Sequence, residues 1–262
     1  MQKSIKAALE AQKRKYDEYY TSYANVEHIF NEYLPKEYLK DKIIYLPCDS
    51  DESNFTIYLK EHKDELQYKE LINTADDYNT HYDLFEKCDV VITNPPFSKL
   101  LSEFIPILNR CKKDFFIFGG LVGIYRYLQK FNDKGRIRFF RPIKAFDFII
   151  PDPKRKGPVV IYITNIDCVK EPRTKNNINE KHGAPSTYAI LENGDKLSVY
   201  DAMRNMPKEF EGIIIVPSTF IFNHYRNLDI KYDIILDIKK WKYEDEKSRF
   251  LRIPIKMHKN IK

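Results

Sequence analysis

The sequence predicts an α/β fold: a mostly parallel sheet with helices on both faces, an antiparallel edge hairpin, and a small C-terminal appendage. Short strand candidates with continuously apolar centres, at residues 42–47, 88–93 and 114–118, alternate with stretches of helical spacing, the pattern of a parallel sheet buried on both sides. From residue 136 the pattern changes to two β-rich runs, 136–150 and 159–166, which predict the edge hairpin. Residues 168–187 are polar and poor in hydrophobes, a long loop into a smaller unit with a strand near 212–216. The predicted division is therefore 1–166 for the core and 167–262 for the loop and C-terminal region.

Taken in order, residues 2–20 and 24–33 have helical spacing and end near Pro35. The run Lys42-Ile-Ile-Tyr-Leu-Pro47 reads as a strand stopped by proline. The polar turn at 48–54 (CDSDESN) follows, rich in capping residues, and then a helix over about 55–63. A second strand fits 66–73. The strand at 88–93 runs into Asn94-Pro95-Pro96-Phe97, with Ser98 as the expected cap of a helix over 100–112. After the strand at 114–118 come Gly119-Gly120 and a helix through Leu128.

Composition narrows the function classes. With 43% hydrophobic and 14% aromatic residues the chain can build a sizeable core, which excludes wholesale disorder. Eight glycines are about 3% of the chain against a usual ~7%, so no long glycine-rich phosphate loop can be built. Four cysteines with no C-x-x-C pair fit neither a disulfide scaffold nor a zinc site. The longest nearly apolar run, 115–125, is too short to span a bilayer, and the charged N-terminus has no signal-peptide core, so a cytoplasmic protein without metal is expected. The net charge of +6 hides blocks of opposite sign: 12 acidic against 4 basic residues over 49–89, 11 basic against 3 acidic over 99–144, and 9 against 3 over 239–262. Such asymmetry points to a polyanionic partner on the basic part.

Asn94-Pro95-Pro96-Phe97 at the end of an apolar strand is the sequence's chemical centre. Ligands in parallel α/β sheets sit outside the carboxyl ends of strands. The two prolines supply no N–H, so the turn presents acceptors rather than donors. Each residue before a proline is held extended, which aims the Asn94 side chain and the Pro95 carbonyl at one pocket. Two convergent acceptors beside the Phe97 ring suit an exocyclic amine on a flat base. Adenine N6 is a poor nucleophile because its lone pair is delocalised; bonds from both its hydrogens to fixed acceptors favour a pyramidal nitrogen that can attack a methyl group. The six histidines have no ligand spacing, and no Gly-x-Ser-x-Gly, H-E-x-x-H or Walker pattern is present.

These residues resemble the catalytic motif of amino-group methyltransferases that use S-adenosylmethionine, and more of the chain resembles one branch, the EcoRI-type adenine-specific DNA methyltransferases. Asp17-Glu-Tyr-Tyr-Thr-Ser-Tyr23 is similar to the family's N-terminal cofactor segment. Cys48-Asp49-Ser-Asp51-Glu-Ser53-Asn54-Phe55 is similar to its turn in place of a glycine-rich loop, although no proline follows Asp51. Ile163-Thr164-Asn165 resembles a later strand, and Val199-Tyr200-Asp201-Ala202 through 212–217 (GIIIVP) resembles a C-terminal block. The resemblance spans most of the chain and implies a Rossmann-like methyltransferase core with S-adenosylmethionine as cofactor. It implies Tyr20, Thr21, Asp49, Ser53 and Asn54 as cofactor-binding residues, with Asp76 or Asp77 on the ribose. It also implies double-stranded DNA as partner, a flipped target adenine, and a restriction–modification or phage setting. The phosphate contacts expected from the charge blocks are Lys112, Lys113, Lys130, Arg136, Arg138, Lys154, Arg155 and Lys156, with the C-terminal region reading the DNA sequence. Alternatives are methylation of RNA adenine or of a protein glutamine amide, or a non-catalytic DNA-binding relative.

Overall fold

A computed structural model describes residues 20–75, 79–132, 136–142, 148–149, 159–170, 184–200, 210–217, 232–235, 241–243 and 252–258. The chain divides into two compact units, residues 1–172 and 173–262. No described helix is long and apolar enough to cross a membrane.

The first unit opens with β1 (Tyr20–Thr21) and α1 (Tyr23–Glu32), whose N-cap Ser22 accepts from the Asn25 N–H. Next come β2 (Ile43–Leu46), α2 (Asn54–Glu61), α3 (Lys63–Leu66) and β3 (Glu70–Asn73). The third strand begins later than its apolar pattern predicts, because Leu66 closes a helical turn and Gln67 follows in the left-handed region. The chain continues through α4 (Tyr82–Lys87), β4 (Val90–Thr93), α5 (Phe97–Lys99), a π-helical turn (Leu100–Phe104), α6 (Ile105–Cys111) and β5 (Asp114–Gly120). A 3₁₀ turn (Leu121–Gly123), α7 (Ile124–Lys130), β6 (Arg138–Phe140), β7 (Phe148–Ile149) and β8 (Val160–Thr164) complete it.

Six strands form one sheet in the order β3-β2-β4-β5-β8-β6. The first four are mutually parallel; β8 is antiparallel to β5 and to β6, so the expected antiparallel edge is present. The strand at 148–149 is not part of that edge. It pairs antiparallel with β1 in a separate two-stranded ribbon, Tyr20 opposite Ile149 and Thr21 opposite Phe148.

Alternation along the strands sorts side chains between two helical layers. Ile44, Leu46, Val90, Ile92, Phe116, Phe118 and Tyr162 share one cluster with Val26, Ile29 and Phe30 of α1 and Phe55, Tyr58 and Leu59 of α2. On the other face Tyr45 meets Phe85 of α4 edge-on, and Phe115 stacks on Phe131 just beyond α7. Gly119 permits close packing of this layer, since a Cβ there would lie 2.7 Å from Ile163 Cδ1 and 2.9 Å from Tyr127 Cε2.

The helix after the motif departs from expectation. Its first turn begins at Phe97 behind Pro96, so Ser98 lies inside it and does not cap it. Pro106 has no N–H to donate one turn back, and the ladder loosens over the π turn, where the Ile105 N–H reaches the Leu100 carbonyl.

Among its described residues the second unit carries six strands: β9 (Thr187–Leu191), β10 (Lys196–Val199), β11 (Gly212–Pro217), β12 (Tyr232–Ile234), β13 (Trp241–Tyr243) and β14 (Arg252–Met257). They pair in the order β12-β14-β11-β10-β9-β13, antiparallel except for β10 with β11.

Candidate active site

In the parallel part of the sheet the chain leaves β2 toward β3 on one side, while β4 leads to β5 on the other. The order of connection therefore reverses between β2 and β4, and the crevice at their carboxyl ends is where such folds place ligands. Asp49 follows β2 and Thr93-Asn94 ends β4, so the two segments that the sequence reading singled out face one crevice. They are joined. Thr93, fully buried, donates through Oγ1 to Asp49 Oδ2 at 3.0 Å, and Asp49 is itself only 7% exposed. A hydroxyl and a carboxylate at that depth need partners, and here each serves the other.

A third segment closes on the same place. Thr21 of β1, 7% exposed, is held by two asparagines: Asn54 Nδ2 donates to its carbonyl at 2.8 Å, and Asn94 Nδ2 donates to its Oγ1 at 3.4 Å. The N-terminal segment, the 48–54 turn and the Asn-Pro-Pro-Phe turn thus meet through Thr21, Asn54, Asp49, Thr93 and Asn94. The motif itself is held in shape from below. Pro95 is buried, the Pro96 carbonyl accepts from the Lys99 N–H at 2.9 Å, and half-buried Phe97 packs against the main core. A Cβ added to Gly120 would touch the Phe97 ring at 3.8 Å, so the ring lies beside the carboxyl end of β5.

The loop after β3 lines the same end. Thr74 donates to the Pro47 carbonyl at 3.0 Å; having one proton, it must accept from the Tyr45 hydroxyl at 2.9 Å. Burial pushes the Tyr45 hydroxyl up to about 12, against the smaller effect of Thr74, so it remains a donor across the neutral range. The Ala75 N–H donates to the Asp49 carbonyl at 3.1 Å, with Ala75 in the left-handed region at φ 47°, a conformation costly to a residue with a Cβ and held here by its surroundings.

Other residues expected from sequence take different positions. Ser53 caps α2, accepting from the Thr56 N–H at 3.2 Å and donating to Thr56 Oγ1 at 3.1 Å; its hydroxyl shapes the turn. Tyr20 is 54% exposed, on the opposite face of β1 from Thr21. Asp76 and Asp77 lie outside the described residues, as do Lys154, Arg155 and Lys156. Thr93, Thr74 and Tyr45 were not singled out by sequence; the one polar residue closing the apolar strand 90–93 was the only signal for Thr93.

The remaining basic residues are not brought to Asn94. Lys112 and Lys113 immediately precede β5, and Arg136 lies beside its first residue, with Nη2 3.7 Å from Asp114 Oδ1. Lys130 ends α7, its carbonyl accepting from Asn109 near the end of α6. All four therefore occupy the amino end of the parallel strands, opposite the crevice. Arg138 is no surface residue at all: it is 2% exposed, and its Nη1 donates to the Val169 carbonyl at 3.0 Å. These five do not form the expected surface around the motif. Among the described residues, no cluster of three or more His, Cys, Asp or Glu side chains could hold a metal ion.

Comparison with known proteins finds methyltransferases. The family described as adenine-specific methyltransferase EcoRI matches residues 8–84. The Type II methyltransferase M.EcoRI of Escherichia coli is 25% identical over 80% of this chain and 83% of its own length. The Type II methyltransferase M.MpnI of Mycoplasma pneumoniae is 22% identical over 96% of this chain and 98% of its own length. M.MgeORF184P of Mycoplasma genitalium, also a Type II methyltransferase, is 22% identical over 80% of each. The chain is thus similar to the EcoRI-type adenine-specific methyltransferase family over residues 8–84, and to Type II methyltransferases over 80–96% of its length.

Proposed function

We propose that the protein is a site-specific DNA adenine N6-methyltransferase that uses S-adenosylmethionine and acts in restriction–modification or phage protection. The observation that carries this reading is the placement of Asn94-Pro95 at the switch point between β2 and β4, hydrogen-bonded to Thr21 and adjoining the Thr93–Asp49 pair. The sheet order and the crevice support a Rossmann-like methyltransferase core within residues 1–166, with target recognition assigned to 167–262.

The groups at the crevice suit the methionine end of the cofactor. The Asp49 carboxylate suits an ammonium, and the first-turn N–H groups of eight-residue α2 suit a carboxylate. The proposed ribose contact is Asp76 or Asp77. S-adenosylmethionine, when bound, supplies the electrophilic methyl group. The chain's part is to present the base. Asn94 Oδ1 and the Pro95 carbonyl accept the two N6 hydrogens of an adenine turned out of the duplex, favouring a pyramidal nitrogen, while Phe97 stacks on its ring. The Pro96 carbonyl is already engaged by Lys99, which leaves the backbone role to Pro95. Lys154, Arg155 and Lys156 are the phosphate contacts that stay in the proposal; a duplex lying over Lys112, Lys113, Lys130 and Arg136 would sit at the wrong end of the sheet to deliver a base to Asn94.

The test is expression in a host whose DNA lacks methylated adenine, followed by long-read detection of the modified base. Methylated adenine in one recurring sequence context supports the reading. Methyl transfer confined to RNA or to a glutamine amide, or DNA binding with no transfer, would replace it.

A further inference from the structure

The topology sorts cations by strand end, and three of them, Lys99, Arg126 and Arg141, fall at the crevice end; none is among the phosphate contacts expected from sequence. A helix that follows a parallel strand starts at the carboxyl end of the sheet. Lys99 ends the short α5 that Asn94-Pro95-Pro96 leads into, and exposed Arg126 lies in the first turn of α7, after Gly119-Gly120 of β5. The helix does not account for Arg126, since the dipole at a first turn disfavours a cation. The two positions are neighbours. The π turn that follows Lys99 packs against α7, and a Cβ on Gly120 would lie 3.8 Å from both the Phe97 ring and the Tyr127 hydroxyl. β6 runs with β5, Phe140 and Phe118 both standing opposite Tyr162 of β8, so exposed Arg141 leaves β6 at the same end.

The opposite side of the crevice has the other sign. Asp49 and Asp51 follow β2, Asp49 buried against Thr93 and Asp51 paired with Lys60 at 2.7 Å. Asn94 stands between the two sides, at the end of β4. We infer that Lys99, Arg126 and Arg141 take the backbone phosphates of the substrate DNA, so that the duplex lies over the β5–β6 side of Asn94 and the cofactor over the β2 side. The inference rests on the proposed DNA adenine methylation and deepens it by naming the surface that receives the duplex. Lys99 Nζ lies 3.7 Å from Glu103 Oε2, one helical turn on, with about a third of each side chain exposed. An exposed pair of this kind contributes little, so a phosphate can replace the carboxylate without large cost.

The test compares two triple variants that remove the same charge from opposite ends of the sheet. One carries Lys99→Gln, Arg126→Gln and Arg141→Gln; the other carries Lys112→Gln, Lys113→Gln and Lys130→Gln. Affinity for a duplex with the methylated sequence context is measured by fluorescence anisotropy over a range of salt, with S-adenosylhomocysteine present. Each phosphate contact releases about one counterion, so the first variant should flatten the log–log salt slope by about 2 to 3 and the second by less than about 0.5. Arg126→Lys with Arg141→Lys keeps the charge and should keep the slope, which separates lost contacts from a disturbed fold. Cofactor affinity by calorimetry should stay within a factor of about three in all variants, as expected for residues on the DNA side. A wild-type slope in the crevice-end variant, or an equal flattening in the amino-end variant, would overturn the inference. A wild-type protein that neither binds DNA nor methylates adenine would instead remove the function on which it rests.

Discussion

Replacing Thr93 by valine should loosen the crevice without altering its shape. Valine is isosteric with threonine and keeps the β-branch favoured in a strand, so the packing of this fully buried residue is retained. What is lost is the 3.0 Å bond from its hydroxyl to Asp49 Oδ2. Hydrogen bonds to charged groups contribute about 1.5–3 kcal/mol, and the cost falls toward the upper end when the acceptor left behind is buried; Asp49 is 7% exposed. At roughly 2–4 °C per kcal/mol for a domain of about this size, Tm should fall by roughly 3–12 °C. Urea unfolding is the direct assay, with the midpoint lowered and the m-value unchanged. A double-mutant cycle with Asp49→Ala isolates the pair, and a coupling near 2 kcal/mol is expected. A coupling below about 0.5 kcal/mol would show that the bond does not hold β2 and β4 together at the crevice, and the account of how the site is assembled would fall with it.

Asn94→Ala should reduce the single-turnover rate by ~10²–10³ while cofactor and DNA binding persist, whereas Phe97→Ala should impair capture of the extruded base and Phe97→Tyr should not; rapid-quench kinetics with 2-aminopurine fluorescence read both. S-adenosylhomocysteine at 100 times its dissociation constant should stabilise the fold by about 2.7 kcal/mol, seen as a thermal shift that Asp49→Ala abolishes. Stability should decline as pH rises above about 9. Burial pushes the Cys88 thiol up to about 12 and the Tyr45 hydroxyl up to about 12, so each group's contribution is complete below its unfolded pKa and is lost as pH climbs toward the folded one. Urea midpoints that stay flat between pH 8 and 10.5 would contradict that burial.

The strands and helices around the crevice were legible because their signals are periodic. Residues 90–92 and 115–118 are apolar at every position, as strands covered on both faces must be, and the helical stripe over 54–61 puts Phe55, Tyr58 and Leu59 on one side. Proline chemistry was harder to weigh: the turn at Asn94 was visible, but the effect of Pro106 on the hydrogen-bond ladder before it was not. The basic residues show why a charge count along the chain misleads. In a β-α-β succession, the segment after a strand lies at the carboxyl end of the sheet and the segment after a helix lies at the amino end. Lys112, Lys113 and Lys130 end helices or follow them, so topology sends them away from the crevice whatever their net charge. Arg138 is the opposite failure: between Ile137 and Phe139-Phe140, a cation set in an apolar run belongs to a buried strand and finds a carbonyl to bond. Single hydroxyls such as Thr93 and Thr21 carry no periodic signal, and only their neighbours in space give them meaning.

The two grips on Thr21 also constrain the order in which the chain folds. Its partners lie 33 and 73 residues away, and the ribbon that fixes its backbone closes on Phe148. Closing the ribbon gains nothing until both ends are ordered, while β2 with β3 (Ile43 opposite Glu70) and β4 with β5 (Val90 opposite Asp114) nucleate from nearer contacts. In refolding followed by pulsed hydrogen exchange, sheet amides such as those of Val91 and Phe116 should be protected before that of Thr21; simultaneous protection would argue against this sequence of events. On the ribosome the asymmetry is sharper. The segment around Thr21 emerges before its partners, yet it has no complete seat until residue 148 has been made, so the earliest-synthesised part of the crevice is the last to settle and stays open to proteases and chaperones in the interval.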